Sequence, residues 1–140
     1  MSKVAVVFWS GSGNTQMMAE AVEAGAKDKG AEVSVYQAAD FSADMVNDFD
    51  AIAFGCPAMG AEVLEESEFE PMFASVENSL SGKKVALFGS YGWGDGEWMR
   101  EWQDRTSGVG ANLVADGVMA NNTPGDNELD ECRTLGGYLA

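Results

Sequence analysis

A chain of 140 residues with 8 Lys and Arg against 23 Asp and Glu, a formal net charge of −15 and no histidine excludes several function classes at once. Such acidity repels nucleic acid and anionic membranes and suits a protein that meets basic partners; without histidine, the commonest general acid–base group and the nucleophile–histidine pairs of most hydrolases are missing. At this length a single domain over 1–140 is expected, burying about two thirds of its unfolded surface.

No apolar stretch approaches the roughly 20 residues of a membrane span, and the N-terminus carries no basic segment followed by an apolar one and a cleavage site. A cytoplasmic protein is expected. Cys56 and Cys132 stand far apart in no metal-ligand spacing and read as small buried hydrophobes.

The apolar run at 3–9 predicts a buried strand, and residues 16–29, with Met17, Met18, Ala21, Val22, Gly25 and Ala26 recurring, predict a helix. Between them lie Ser10, Gly11, Ser12, Gly13, Asn14 and Thr15. Residues 32–37 alternate at period two, as in a strand near a sheet edge. A short helix is predicted over 41–49, capped by Asp40 or Ser42, and a third strand over 50–55. Residues 69–80 follow as a helix with Phe69, Met72, Phe73, Val76 and Leu80 on one face. A fourth strand is predicted at 84–89, a helix at 97–106, a fifth strand at 112–119 and a last helix at 126–139. No internal repeat or low-complexity segment interrupts the pattern.

Five strands alternating with five helices imply an α/β fold, a parallel sheet with helices on both faces. Ligands bind such sheets outside the carboxyl ends of the strands, where the strand order reverses. Three loops fall there, at 10–15, 56–62 and 90–96.

In the first loop, glycines permit a tight turn while hydroxyls, an amide and the helix's first free N–H groups gather donors at one spot. It lacks the lysine of a nucleotide-hydrolysing P-loop and the GxGxxG of a dinucleotide turn. Neutral donors and a helix dipole suit permanent binding of a phosphate monoester. The alternative is a connector whose Ser12, Asn14 or Thr15 merely caps the helix. The second loop brings Pro57, Ala58, Met59, Gly60, Ala61 and Glu62: a polarizable thioether, a turn glycine and a carboxylate. The third, with Ser90, Tyr91, Gly92, Trp93 and Gly94, sets an indole among glycines. Met59 and Trp93 are placed to clamp a planar aromatic ring whose phosphate tail lies in the first loop; against this stands the ordinary use of both residue types as core filler.

These linked segments, Ser10-Gly11-Ser12-Gly13-Asn14-Thr15, Cys56-Pro57-Ala58-Met59-Gly60, the stretch from Glu62 to Pro71, and Phe88 through Gly96, resemble the corresponding parts of short-chain bacterial flavodoxins of the clostridial type. The likeness covers essentially the whole chain, and the fifth strand carries no long insertion. It implies a flavodoxin-like three-layer sandwich with a five-stranded parallel sheet in the order 2-1-3-4-5. It further implies one tightly, noncovalently bound FMN, carrying single electrons at low potential in place of ferredoxin between redox enzymes such as reductases and oxidoreductases. By matching position, Ser10, Ser12, Asn14 and Thr15, with the amides of Gly11 and Gly13, would hold the phosphate. Met59 would cover the inner flavin face and Trp93 the outer. Glu62 would bond flavin N3, and the backbone around Ser90, Gly92 and Gly94 the pyrimidine oxygen. Gly60 resembles the family residue whose carbonyl turns to accept from N5 in the semiquinone, and glycine tolerates the positive φ this needs. Ala61 departs from the polar or acidic residue common in relatives. Asn122, in the loop after the fifth strand, would reach the ribityl chain.

Glu62, Glu65, Glu66, Glu68, Glu70, Asp95 and Glu97 cluster on the loops beside the expected ring, and no basic residue falls between Lys29 and Lys83. Such charges oppose further reduction of the ring and orient a basic partner, although some of the run from Glu62 to Glu70 also suits a helix start. The expectation is a monomeric electron carrier that docks on basic surfaces of redox enzymes, not an enzyme. Two other readings share the fold. An FMN-dependent NAD(P)H reductase of quinones or nitro compounds would need a nicotinamide site. A signalling receiver domain would need acidic residues where Trp9-Ser10 and Gly55-Cys56 stand.

Overall fold

In the computed structural model, which describes residues 2–140, a parallel sheet is sandwiched between two helical layers. Strand β1 (Lys3–Phe8) leads into helix α1 (Asn14–Asp28), β2 (Glu32–Gln37) and β3 (Ala51–Gly55). Helix α2 (Phe69–Val76), β4 (Lys84–Tyr91), α3 (Glu97–Gly108), β5 (Asn112–Leu113), β6 (Val118–Asn121) and α4 (Asp126–Leu139) complete the chain. The order is β2-β1-β3-β4-β5, all pairs parallel, with β6 also on β4. This is the 2-1-3-4-5 sandwich that the resemblance implies. No helix among the described residues is long and apolar enough to cross a membrane.

Alternation along the strands builds two cores. Val4, Val6 and Phe8 of β1 face Met18, Val22, Leu135 and Leu139 of α1 and α4. Ala5 and Val7 face the opposite layer, where Phe69 and Phe73 of α2 meet Trp98 and Trp102 of α3. Phe73 and Trp102 pack edge-on at 5.7 Å between ring centres, a favoured aromatic geometry. Arg105 locks these helices together from outside. Its guanidinium bonds both Glu70 oxygens at 2.7 and 2.8 Å, reaches Glu77 at 2.7 Å and lies over the Phe73 ring. Both cysteines are free and buried. Burial pushes both thiols up, that of Cys132 to about 12, so they stay protonated and act as hydrophobes.

Four elements differ from the sequence pattern. The helix predicted over 41–49 is a 3-10 turn, Ala43–Asp48, preceded by a second at Ala38–Asp40, and Ser42 at the cap position makes no capping bond. Its length is too short for α-helix cooperativity to repay nucleation. Helix α2 stops at Val76 and tightens into a 3-10 turn, Glu77–Ser79. Strand β4 runs on to Tyr91, carried by pairing with β6. The fifth strand is split in two. Its middle leaves the ladder after Val114, whose N–H still donates to the Val85 carbonyl at 3.1 Å, and the Gly117 N–H donates to the Gln103 side chain instead of to a strand.

Candidate functional site

The loops after β1, β3 and β4 converge at the carboxyl end of the sheet on one cavity of about 410 Å³. That volume lies within the range of small-molecule and cofactor sites. Gly11, Ser12 and Asn14 line it from the first loop and Pro57, Ala58 and Met59 from the second. Ser90, Tyr91, Gly92 and Trp93 line it from the third, and Asn122, just past β6, closes an edge. Ten of the seventeen residues singled out in the sequence therefore share one wall-to-wall space. Ser10, Gly13, Thr15, Gly60, Ala61, Glu62 and Gly94 do not line it.

Several of these seven shape the cavity from behind. Ser10 Oγ accepts the N–H groups of Gly13 at 3.1 Å and Gln16 at 3.3 Å, folding the first loop on itself. Gly13 takes φ +96° at the helix N-cap, a conformation that glycine adopts without the strain of a Cβ. Thr15 is buried, its hydroxyl 3.1 Å from that of Ser90, and so ties the first loop to the third. No side chain bonds the α1 cap in the usual N-cap manner. Among the described residues the backbone N–H groups of Gly11, Ser12 and Thr15 find no acceptor. Unspent donors at a helix N-terminus, opening on a cavity, form an anion cradle, and a phosphate monoester fits it.

The opposite end is aromatic and thioether. Trp93 stands 53% exposed and Met59 is half-buried, both on the cavity wall. Trp9 also lines the cavity, its ring packed over Gly11 at 3.0 Å from where a Cβ would stand. The sequence reading passed over Trp9 as the end of a strand. The signal was present, because Trp9 continues the Ala5, Val7 alternation one step beyond the strand, at the ligand end of the sheet. A planar ring with a phosphate tail, the chemistry of a flavin mononucleotide, matches this pairing of donor cradle and flat apolar walls.

The second loop is a tight hairpin. Met59 and Val63 exchange backbone bonds of 2.8 and 2.9 Å around Gly60, Ala61 and Glu62, with Gly60 at φ +51° and Glu62 at φ +54°. Its near foot is joined to β4 by the Ala58 N–H donating to the Ser90 carbonyl at 2.9 Å. At its far foot the Glu65 N–H donates to the Cys56 sulfur at 3.3 Å.

The acidic residues around the loops play separate parts. Asp95 pairs with Arg100 at 2.9 Å, and Glu70 is spent on Arg105. Glu65 turns inward to 6% exposure and caps α2. Its carboxylate accepts the N–H groups of Ser67 at 2.9 Å, Glu68 at 2.8 Å and Phe69 at 2.9 Å, besides the Ser67 hydroxyl. Burial alone would raise its pKa, but the Ser67 hydroxyl and the three amides together pull the carboxyl below its ordinary 4.5. A lowered folded-state pKa gives stability that is complete above the unfolded value and is lost as pH falls through the folded one. Glu65→Gln is therefore expected to cost about 1 kcal/mol in urea unfolding at pH 7. The deficit shrinks once the pH drops below 4.5. A deficit equal at pH 7 and pH 3.5 would contradict this ionised-cap role.

Comparison with known proteins gives a consistent result. The family model described as Flavodoxin matches residues 6–136. The chain is 45% identical over 135 residues to a flavodoxin of Clostridium beijerinckii, covering 96% of this chain and 97% of that protein. It is 48% identical over 133 residues to one of Megasphaera elsdenii, covering 95% of each. The solution structure of two-electron reduced Megasphaera elsdenii flavodoxin superposes with a TM-score of 0.90 at 47% identity, covering 97% of both chains.

Proposed function

This chain belongs to the flavodoxin family of FMN-binding electron-transfer proteins, and from that premise we propose that it works at low potential in place of ferredoxin, as a single-domain monomer in the cytoplasm. The observation that carries this reading is the cavity itself, with unspent amides at one end and Trp93 and Met59 at the other. Bound there, FMN supplies reversible one-electron chemistry that no side chain of the protein offers.

The amides of Gly11, Ser12 and Thr15, with the side chains of Ser12 and Asn14, hold the phosphate by neutral donors and the α1 dipole. Ser10, Gly13 and Thr15 fix the shape of that cradle. Met59 and Trp93 cover the two ring faces and keep water off them, Pro57, Ala58, Tyr91 and Gly92 complete the walls, and the half-exposed Trp93 leaves a path for electrons to a partner. Gly60 and Ala61 form the turn beside the ring, and the positive φ of Gly60 keeps its peptide free to present a carbonyl. Ser90 and Gly94 supply backbone at the pyrimidine edge.

Electrostatics sets the direction of the potential. At roughly 8 Å each carboxylate contributes about half a kcal/mol in a water-like dielectric, and several together oppose added negative charge on the ring. Glu62, Glu65, Glu66, Glu68 and Glu97 remain for this task once Glu70 and Asp95 have found cationic partners. The same charges steer basic surfaces of reductases and oxidoreductases toward the exposed edge.

Stepwise anaerobic reduction of the purified protein, followed by its visible spectrum, tests the reading. A yellow protein that bleaches in two separable one-electron steps, without turning over NAD(P)H, is expected. Direct bleaching by NAD(P)H would make it a reductase instead, and a colourless protein indifferent to added FMN would overturn the cavity's assignment.

A further inference from the structure

Behind the large cavity, and not lining it, lies Trp98, the second residue of α3 and only 2% exposed. It meets the second loop at Cys56 and the third at Tyr91. Its indole N–H donates to the Cys56 carbonyl at 3.2 Å, and its ring packs against that of Tyr91 with 5.4 Å between centres. Cys56 follows β3 directly. Its N–H donates to the Phe88 carbonyl at 3.1 Å, and two residues on the Ala58 N–H donates to the Ser90 carbonyl at 2.9 Å. In a regular parallel ladder the Cys56 carbonyl would in turn take an N–H from β4, yet among the described residues no backbone N–H reaches it. It is turned instead over Gly89, where a Cβ would stand 2.1 Å from the carbonyl oxygen and 3.3 Å from the Trp98 ring. Glycine at 89 is what leaves room for carbonyl and indole to meet.

We propose that Trp98 is a positioning residue for the cofactor: its N–H fixes the direction in which the second loop leaves β3, and its ring backs the Tyr91 wall, so that both walls stand in place before the ligand binds. The proposal rests on the cofactor reading of the cavity. Cys56 is fully buried, and a buried acceptor left without a donor costs more than an ordinary hydrogen bond contributes, so without the indole this peptide would rotate to find one. The next residues are Pro57, Ala58 and Met59, all on the cavity wall, and Pro57 brings no N–H of its own to hold the segment. A rotation at the Cys56–Pro57 peptide therefore moves the Met59 wall directly. Walls set in advance remove ordering that the ligand would otherwise have to impose, which is the general source of preorganised affinity. Trp102, one turn further along α3, supplies the contrast. It is as deeply buried and packs edge-on against Phe69 and Phe73 of α2, but its indole nitrogen has no partner among the described residues. Two indoles of one helix thus share size and burial and differ in the bond to the second loop.

The test compares Trp98→Phe with Trp102→Phe. Each removes the same volume from the α3 core, but only Trp98→Phe removes a hydrogen bond, so a purely structural role predicts equal effects. In Trp98→Phe the Kd for FMN is expected to rise about tenfold, and hydrogen exchange at the Ala58 amide of the cofactor-free protein to quicken by a similar factor. The visible circular dichroism of bound FMN, which reports how the walls sit against the ring, changes with them. In Trp102→Phe the Kd and the exchange rate stay within about twofold of the parent, and the dichroism is unaltered. A Kd unchanged in Trp98→Phe, or raised equally in both variants, overturns the proposal. A measurement on the parent stands whatever the stability of the variants: in the cofactor-free protein the Trp98 indole proton is expected to exchange about a hundredfold more slowly than that of the exposed Trp93. Equal rates would show that the bond is not formed in advance and would overturn the proposal too. A parent protein indifferent to FMN overturns the cofactor reading instead, and the contrast in Ala58 exchange still decides whether Trp98 holds the loop.

Discussion

Gly136→Ala is expected to lower the unfolding free energy by about 3 kcal/mol, and Gly137→Ala, one residue on, to raise it by about half a kcal/mol. Both lie in α4, and in a lone helix both substitutions would help, since alanine exceeds glycine by up to about 1 kcal/mol in helix propensity. Packing against α1 divides them. A Cβ on Gly136 would enter the space of the Val22 carbonyl and stand 2.9 Å from the Ala26 nitrogen, both of them backbone atoms that cannot swing aside. On Gly137 it would meet the flexible Lys29 chain at 3.5 Å and the Gly25 carbonyl at 3.9 Å, both ordinary contacts. Gly25 makes the reciprocal approach, its would-be Cβ 2.7 Å from the Arg133 Cα, so the two helices touch backbone to backbone at two points. For a chain of this size the Gly136 deficit corresponds to a fall of about 10 °C in Tm. Thermal and urea unfolding of both single variants checks it; equal effects of one sign would mean that α1 and α4 do not pack as closely as described.

That contact also shows where a single sequence stops being informative. The pattern Met18, Val22, Leu135, Leu139 announces two amphipathic helices, and their bounds came close to those observed because the apolar period, unlike packing distance, is a local property. Which glycine sits at the crossing depends on the partner helix. The split fifth strand failed for a similar reason. Residues 112–119 look continuous by propensity, whereas the break falls where the Gly117 N–H meets the Gln103 side chain, which arrives from α3 and is invisible to a local pattern. The site was more legible than these details, since the carboxyl-end rule for parallel sheets pointed to three loops before any geometry existed. Glu65 was missed as a buried cap because it looks like any other member of an acidic run. Its inward turn depends on Cys56 and the start of α2, nine and four residues away in sequence.

The three tryptophans of the third loop and α3 sort into two kinds, and this makes Trp93→Ala the most informative substitution at the site. Trp98 and Trp102 are 2% exposed and belong to the α3 core, where truncation would cost folding stability of about 3–5 kcal/mol. Trp93 is 53% exposed and, among the described residues, makes no hydrogen bond, so the cofactor-free protein is expected to lose less than about 0.5 kcal/mol with it. Its worth lies in the ligand. An indole covering one face of a flat ring contributes about 2 kcal/mol, so Kd for FMN is expected to rise about 30-fold. Stacking on indole quenches flavin emission, and the FMN that still binds is expected to fluoresce more strongly than in the parent. Trp93→Phe restores a flat apolar face of smaller area and falls between the two. Fluorescence titration of the three proteins, with urea unfolding of their cofactor-free forms alongside, separates the two roles. An unchanged Kd in Trp93→Ala would remove that residue from the cofactor wall, whereas a loss of folding stability as large as that of a core tryptophan would place it in the framework instead.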